Sequence, residues 1–183
     1  MKRVLLILST GFEELEAVAP LDLLRRGGIE VVSASTGADL LVTGGRGIRI
    51  QADRKLEDCL PEPFDMILLP GGPGVSELRK DKRVLDLMKR AHAQGLPIAA
   101  ICAAPLILAD AGILAGHVVT SFPGSKAELL GKVKSYSEDR VVQDGALITS
   151  RGAGTAEEFA LQVLAYLLGP AAAEAVRTGI VAR

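Results

Sequence analysis

The sequence predicts an α/β fold with a doubly wound, mostly parallel sheet and helices on both faces. Three observations carry that prediction. Short apolar runs alternate with amphipathic segments of helical spacing along the whole chain. Hydrophobic residues make up 49% of the 183 positions but aromatics only 3%, so the core must be built from Ala, Val, Leu and Ile, the residues of strands buried on both faces. Apolar runs also end directly in glycine or small residues, as strand-to-helix turns require. No repeat, low-complexity tract or linker interrupts the pattern, so residues 1–183 are expected to form one domain.

Arg3–Ser9 (RVLLILS) ends at Thr10-Gly11 and predicts the first strand. Helical spacing follows from Glu13 to Arg26, with Leu15, Val18, Ala19 and Leu23 on one expected buried face. Acids open this helix, Arg25-Arg26 close it and Gly27-Gly28 stop it; Pro20 inside it predicts a kink. Ile29–Ser35 is the second strand, and Gly44, Gly45 and Gly47 between β-type residues make 40–52 a hairpin. Asp65–Pro70 is a buried strand closed by Gly71-Gly72-Pro73-Gly74. Val84, Leu87, Met88 and Ala91 mark a helix that Gly95 ends. Pro97–Ile101 is the next strand, Cys102 follows it at once, and a helix is expected over Ala103–Ala111. His117–Ser121, Val133–Tyr136, Val141–Gln143 and Ala146–Ser150 are further strands. Thr155 and Glu158 predict a capping box for a helix with the stripe Ala156, Phe159, Ala160, Val163, Leu164 and Leu167, and a last helix runs from Ala171 to Thr178.

With 21 basic and 22 acidic residues spread evenly, the chain has no basic block for nucleic acid and no basic amphipathic helix for a membrane surface. No apolar run reaches the roughly 18 residues of a membrane span. The first strand begins directly after Met1, leaving no room for a secretion signal, so a cytoplasmic location is expected. Two cysteines make no disulfide framework, and with only His92 and His117 as imidazoles a structural metal site is not expected.

In doubly wound sheets, ligands bind beyond the carboxyl ends of the strands, which selects Ser9–Glu16, Pro70–Gly74 and Ile101–Pro105. Cys102 in Ala99-Ala100-Ile101-Cys102-Ala103 has the setting of a nucleophile on a tight strand-to-helix turn. Backbone N–H groups there stabilise a thiolate or an oxyanion, so the sulfur is expected to ionise near neutral pH. The plainer reading is a small hydrophobe at a buried strand end. Gly71-Gly72 allows close backbone approach, or is simply a turn. Gly152-Ala153-Gly154 lacks the last glycine of a dinucleotide fingerprint. Glu13, Glu14 and Glu16 complement a helix dipole, but one of them turned inward would have a raised pKa and could shuttle a proton; spacing does not say which. His92 and His117 fall at the opposite edge and read as surface residues, leaving no imidazole base for a protease. Cys59, in an acidic loop, gets no role.

Several ordered blocks carry a family resemblance: Gly11-Phe12-Glu13-Glu14-Leu15-Glu16, Arg25-Arg26-Gly27-Gly28-Ile29, Leu69-Pro70-Gly71-Gly72, Ala99-Ala100-Ile101-Cys102-Ala103, Tyr136-Ser137-Glu138 and Thr149-Ser150-Arg151-Gly152. Together they resemble the ThiJ/PfpI superfamily, in the branch of the human parkinsonism-associated protein deglycase and bacterial YajL. The resemblance implies a flavodoxin-like sandwich of the class I glutamine amidotransferase type and a homodimer. It puts the nucleophile at Cys102, the active-site carboxylate at Glu16, and oxyanion contacts on the backbone of Gly72 and Ala103. Arg26 and Arg46 match arginines that line an anion-accepting pocket near the dimer contact. Peptidase-like members carry His directly after the cysteine, where this chain has Ala103, so a peptidase is disfavoured. Phe122 before Pro123 stands where human-like members have His and YajL-like members have Phe. The implied activity is cofactor-free conversion of methylglyoxal, glyoxal or early glycation adducts on proteins; the alternative is a redox-responsive stress protein or chaperone that uses oxidation of Cys102.

Overall fold

A computed structural model describes residues 1–182. β1 (Arg3–Leu8), α1 (Glu14–Arg26) and β2 (Glu30–Ser35) form the first unit, followed by the antiparallel hairpin of β3 (Leu41–Thr43) and β4 (Arg49–Gln51). Next come β5 (Arg54–Lys55), the one-turn α2 (Leu56–Cys59), β6 (Met66–Leu69), the short α3 (Val75–Leu78), α4 (Lys82–Ala93), β7 (Ile98–Ile101) and α5 (Pro105–Asp110). β8 (Val118–Val119) and β9 (Ser135–Tyr136) pair outside the main sheet, with α6 (Lys126–Leu129) between them. The antiparallel β10 (Val141–Asp144) and β11 (Leu147–Ser150) precede α7 (Ala156–Leu168) and α8 (Pro170–Gly179).

Seven strands form one sheet in the order β10-β11-β7-β6-β1-β2-β5, parallel except for the β10–β11 pair. This is the flavodoxin-like sandwich. The chain leaves β1 toward β2 on one side and returns with β6 on the other, so the order reverses beside β1. The crevice at that reversal lies above the carboxyl ends of the strands.

Strand residues alternate between two cores because successive side chains point to opposite faces. Leu5, Ile7, Ile67, Leu69, Ile98 and Ala100 join one core; Val4, Leu6, Leu8, Met66, Leu68, Ala99, Ile101 and Ile148 join the other. Burial on both faces explains why these strands read as unbroken apolar runs.

Three local expectations change. The buried face of α1 is Glu16, Ala17, Pro20, Leu23 and Leu24; Leu15 and Val18 are exposed, because α1 packs flat against both the sheet and α7. Thr155 and Glu158 make no capping box: the Thr155 hydroxyl turns back to donate to the Gly152 carbonyl at 2.8 Å, and Glu158 accepts from Arg140 at 2.9 Å. Cys59 ends a short helix rather than lying in a loop, and is buried. No described helix is long and apolar enough to cross a membrane.

Candidate active site

Three chain segments meet at the reversal: the start of α1, the glycine turn after β6 and the turn after β7. Cys102 has φ +65°, one of two described non-glycine residues in the left-handed region. A Cβ makes that conformation unfavourable, so the surroundings must hold it. They do so on both sides: the Cys102 N–H donates to the Ser150 carbonyl at 2.9 Å, and the Phe122 N–H donates to the Cys102 carbonyl at 2.8 Å. The bend precedes α5, which begins only at Pro105 rather than at Ala103.

Glu16 is the inward glutamate. It is fully buried, and its Oε2 accepts from the Gly71 N–H at 2.8 Å. Its Oε1 has no conventional hydrogen-bond partner, and the carboxyl interacts with the Cys102 thiol. Glu13 instead caps α1, accepting from the Glu16 N–H at 2.9 Å. Glu14, also buried, accepts from the Arg46 N–H at 2.5 Å and so ties α1 to the β3–β4 hairpin.

The double glycine is a steric necessity. A Cβ on Gly71 would lie 2.6 Å from the Cys102 Cβ and 2.7 Å from Glu16 Oε2. Gly72 has φ +99°, and a Cβ there would lie 2.5 Å from the Glu13 nitrogen. Only glycine lets this turn fit between the thiol and the carboxylate.

Burial pushes the Glu16 carboxyl up to about 7; the Gly71 N–H and the Cys102 contact oppose the shift, while the Glu13 charge adds to it. Burial likewise pushes the Cys102 thiol up to about 12. The Glu16 charge and its acceptance of the thiol proton add to the rise, against the Ala103 and Gly72 N–H groups that favour the anion. Both directions run against the expectation of a sulfur ionised near neutral pH. The backbone donors are present, but desolvation beside a carboxylate outweighs them. At rest this is a thiol next to a base that half-titrates near pH 7.

The sulfur and carboxylate face a cavity of about 650 Å³ lined also by Arg46, Gly72, Pro73, Ala103 and Phe122. Arg140, Arg151 and the Gly152–Thr155 turn close it on the far side. Of the residues singled out in the sequence, Cys102, Glu16, Gly72, Ala103 and Arg46 come together here. Arg26 does not: it sits at the far end of α1, paired with Asp22 at 2.8 Å. Arg151 and Gly152 figure in the sequence only as part of the resemblance block and, for Gly152, of an incomplete glycine pattern, with no site role, and Arg140 not at all. They arrive because β11 lies beside β7 and β10 beside β11. His92 and His117 lie at the opposite edge, with rings 5.8 Å apart. Among the described residues, no group of three or more His, Cys, Asp or Glu is placed to hold a metal ion.

Comparison with known proteins follows the geometry. The chain is 41% identical over 183 residues to the Parkinson disease protein 7 homolog of Danio rerio, covering 98% of this chain and 97% of that one. It is 34% identical over 152 residues to Deglycase PYRAB04690 of Pyrococcus abyssi, covering 83% and 91%. The crystal structure of Drosophila melanogaster DJ-1beta superimposes with a TM-score of 0.96 at 38% identity, covering 100% and 98%. Residues 2–166 match the DJ-1/PfpI family. The chain belongs to the DJ-1/PfpI family.

Proposed function

We propose that this protein is a cysteine-dependent hydrolase or lyase of α-oxoaldehydes such as methylglyoxal, or of their early adducts on proteins, working without metal or organic cofactor. The observation that carries the reading is the buried Glu16 carboxylate, with its unpartnered Oε1, beside the Cys102 thiol. The deglycase name of the Pyrococcus abyssi relative supports the substrate class.

The thiol reacts as the Glu16 carboxylate takes its proton. The sulfur bonds to the aldehyde carbon, and the carbonyl oxygen becomes a hydroxyl as the Ala103 and Gly72 N–H groups stabilise its developing charge. A base with pKa near the working pH suits that transfer. Glu16 hands the thiol proton to the former aldehyde oxygen, then moves the hydrogen from the aldehyde carbon to the adjacent carbonyl carbon while the new hydroxyl's proton passes to the adjacent oxygen. This converts the hemithioacetal to a 2-hydroxy thioester without net oxidation. Water adds to the thioester, the carbon–sulfur bond breaks, and the sulfur recovers its proton as the 2-hydroxy acid leaves. Incubation with methylglyoxal should yield lactate; no lactate above a Cys102→Ala control sinks the reading.

A second reading is a redox-responsive stress protein or chaperone. Support comes from the same carboxyl: protonated, it can donate to an oxygen of a Cys102 sulfinic acid and stabilise that state.

For assembly the proposal is a cytoplasmic homodimer of single-domain subunits. The exposed apolar residues Leu15 and Val18 on α1 and Leu41 and Ile48 on the hairpin support a self-association face. A Leu15→Glu, Val18→Glu variant should elute as a monomer in light-scattering chromatography where the wild type is dimeric; a monomeric wild type removes the dimer.

A further inference from the structure

We propose that Phe122 is a specificity-determining contact: its ring selects substrates carrying an alkyl or aryl group beside the aldehyde over glyoxal, which carries only hydrogen there. This rests on the oxoaldehyde reading above and names the substrate class within it.

Phe122 is 50% exposed, and single exposed hydrophobic residues ordinarily need no explanation. This one differs because the structure holds it firmly. Its N–H donates to the Cys102 carbonyl at 2.8 Å, and its own carbonyl accepts from Ser121 Oγ at 3.0 Å and the Ser125 N–H at 2.9 Å. The Tyr136 hydroxyl donates to the preceding Ser121 carbonyl at 3.1 Å. The ring itself lies between two glycines. A Cβ on Gly124 would come 3.1 Å from Phe122 Cε1, and one on Gly152 would come 3.8 Å from Cδ2. A side chain at 124 would press on the ring, and one at 152 would meet it in ordinary contact.

The position meant for a Gly152 Cβ also lies 3.9 Å from Cys102 Sγ and 3.8 Å from Glu16 Oε1. Ring, nucleophile and base thus surround one small volume, the volume that receives the substituent on the carbonyl next to the attacked aldehyde. Pro73, Ala103, Pro123 and Ala153 line the same cavity and add apolar surface to that of the ring, in a lining that also holds Arg46, Arg140 and Arg151. A methyl or phenyl group there leaves water for an apolar wall; hydrogen gains nothing. An aryl group gains aromatic packing as well.

Two measurements, each taken as a ratio, test this with Phe122→Ala and Phe122→Leu. The first is kcat/KM for phenylglyoxal relative to glyoxal. The second needs no turnover: the rate of Cys102 alkylation by phenacyl bromide relative to bromoacetaldehyde, which carries hydrogen on the carbonyl. In that reaction sulfur bonds to the methylene carbon, bromide leaves, and the thiol proton passes to Glu16 or water. In Phe122→Ala both ratios should fall about tenfold, and in Phe122→Leu by less, because the apolar surface stays while the ring is lost. An unchanged alkylation ratio overturns the contact, and an unchanged kcat/KM ratio overturns its role in selection. A wild type that turns over no oxoaldehyde defeats the proposed activity alone, since the alkylation ratio still decides whether the ring reads the substituent.

Discussion

The two cysteines are the same side chain in two kinds of burial. Cys59 closes α2 with 1% exposure, packed into the core with Leu56 and Ile67. Cys102 is half-buried on a left-handed bend at the edge of a cavity. Burial raises both thiols above their ordinary value, so acidity does not separate them. What separates them is a path for the proton and room for a reactant. Glu16 lies beside Cys102, with Ala103 and Gly72 N–H groups at the sulfur; Cys59, only 1% exposed, sits in the wall of a separate cavity where the carboxylate of Glu62 is already engaged by Arg3 and Arg54. Reactivity here belongs to the pair, thiol and carboxylate, rather than to an unusually acidic sulfur.

The largest expected effect breaks the comparison most directly. Cys102→Ala should cut lactate formation from methylglyoxal by a factor on the order of 10³ or more, while Cys59→Ala retains the wild-type rate. Loss in both variants would mean that the two sulfurs are functionally linked.

Glu16→Gln comes next, and it separates base from thiol acidity. Turnover should fall by a factor on the order of 10² to 10⁴, and the rise of activity through pH 7 should vanish. Alkylation by iodoacetamide at pH 8 should meanwhile become faster, because the negative neighbour that holds the thiol up is gone. Slower alkylation would show that the carboxylate favours the thiolate instead. The same variant tests stability. The folded Glu16 pKa lies above its unfolded value, so its contribution is fully present below about pH 4.5 and is lost as pH rises through about 7. Denaturant unfolding should therefore find Glu16→Gln more stable than wild type by about 3 kcal/mol at pH 8, with the gap closing toward pH 5. A gap independent of pH would argue against the buried carboxylate.

How legible this was in the sequence follows from which interactions are local. The strands and their order of appearance were readable because two-sided burial leaves unbroken apolar runs such as Met66–Leu69. The elbow at Cys102 and the need for Gly71-Gly72 were readable because turns constrain residue size locally. The choice among Glu13, Glu14 and Glu16 was not, since it depends on how α1 rotates against α7, and the same rotation exposed Leu15 and Val18. Arg26 was carried into the site by resemblance, yet it occupies the opposite end of its helix. The direction of the Cys102 shift was misjudged for a related reason: local dipoles show in a sequence, whereas desolvation by distant segments does not.

Oxidation sharpens the contrast by another route. Under mild peroxide, intact-peptide mass spectrometry should find two added oxygens on Cys102 at about tenfold the level on Cys59, because access governs the second thiol and Glu16 steadies the product on the first. Equal oxidation would remove any special status from the Cys102 surroundings and, with it, the redox reading.

The smallest effect concerns Cys59 itself, whose sulfur has only a packing role. Cys59→Ala deletes one buried atom from a wall that also borders a cavity of about 440 Å³ with Leu5, Phe64 and Ile67. Some packing contacts there are therefore already missing, and the loss should be near 1 kcal/mol, a lowering of Tm by about 2–4 °C. Cys59→Ser should cost more, since it places a hydroxyl among apolar neighbours. If thermal unfolding ranks Ser above Ala, a polar partner or water reaches that position, and the sealed environment assigned to Cys59 is wrong.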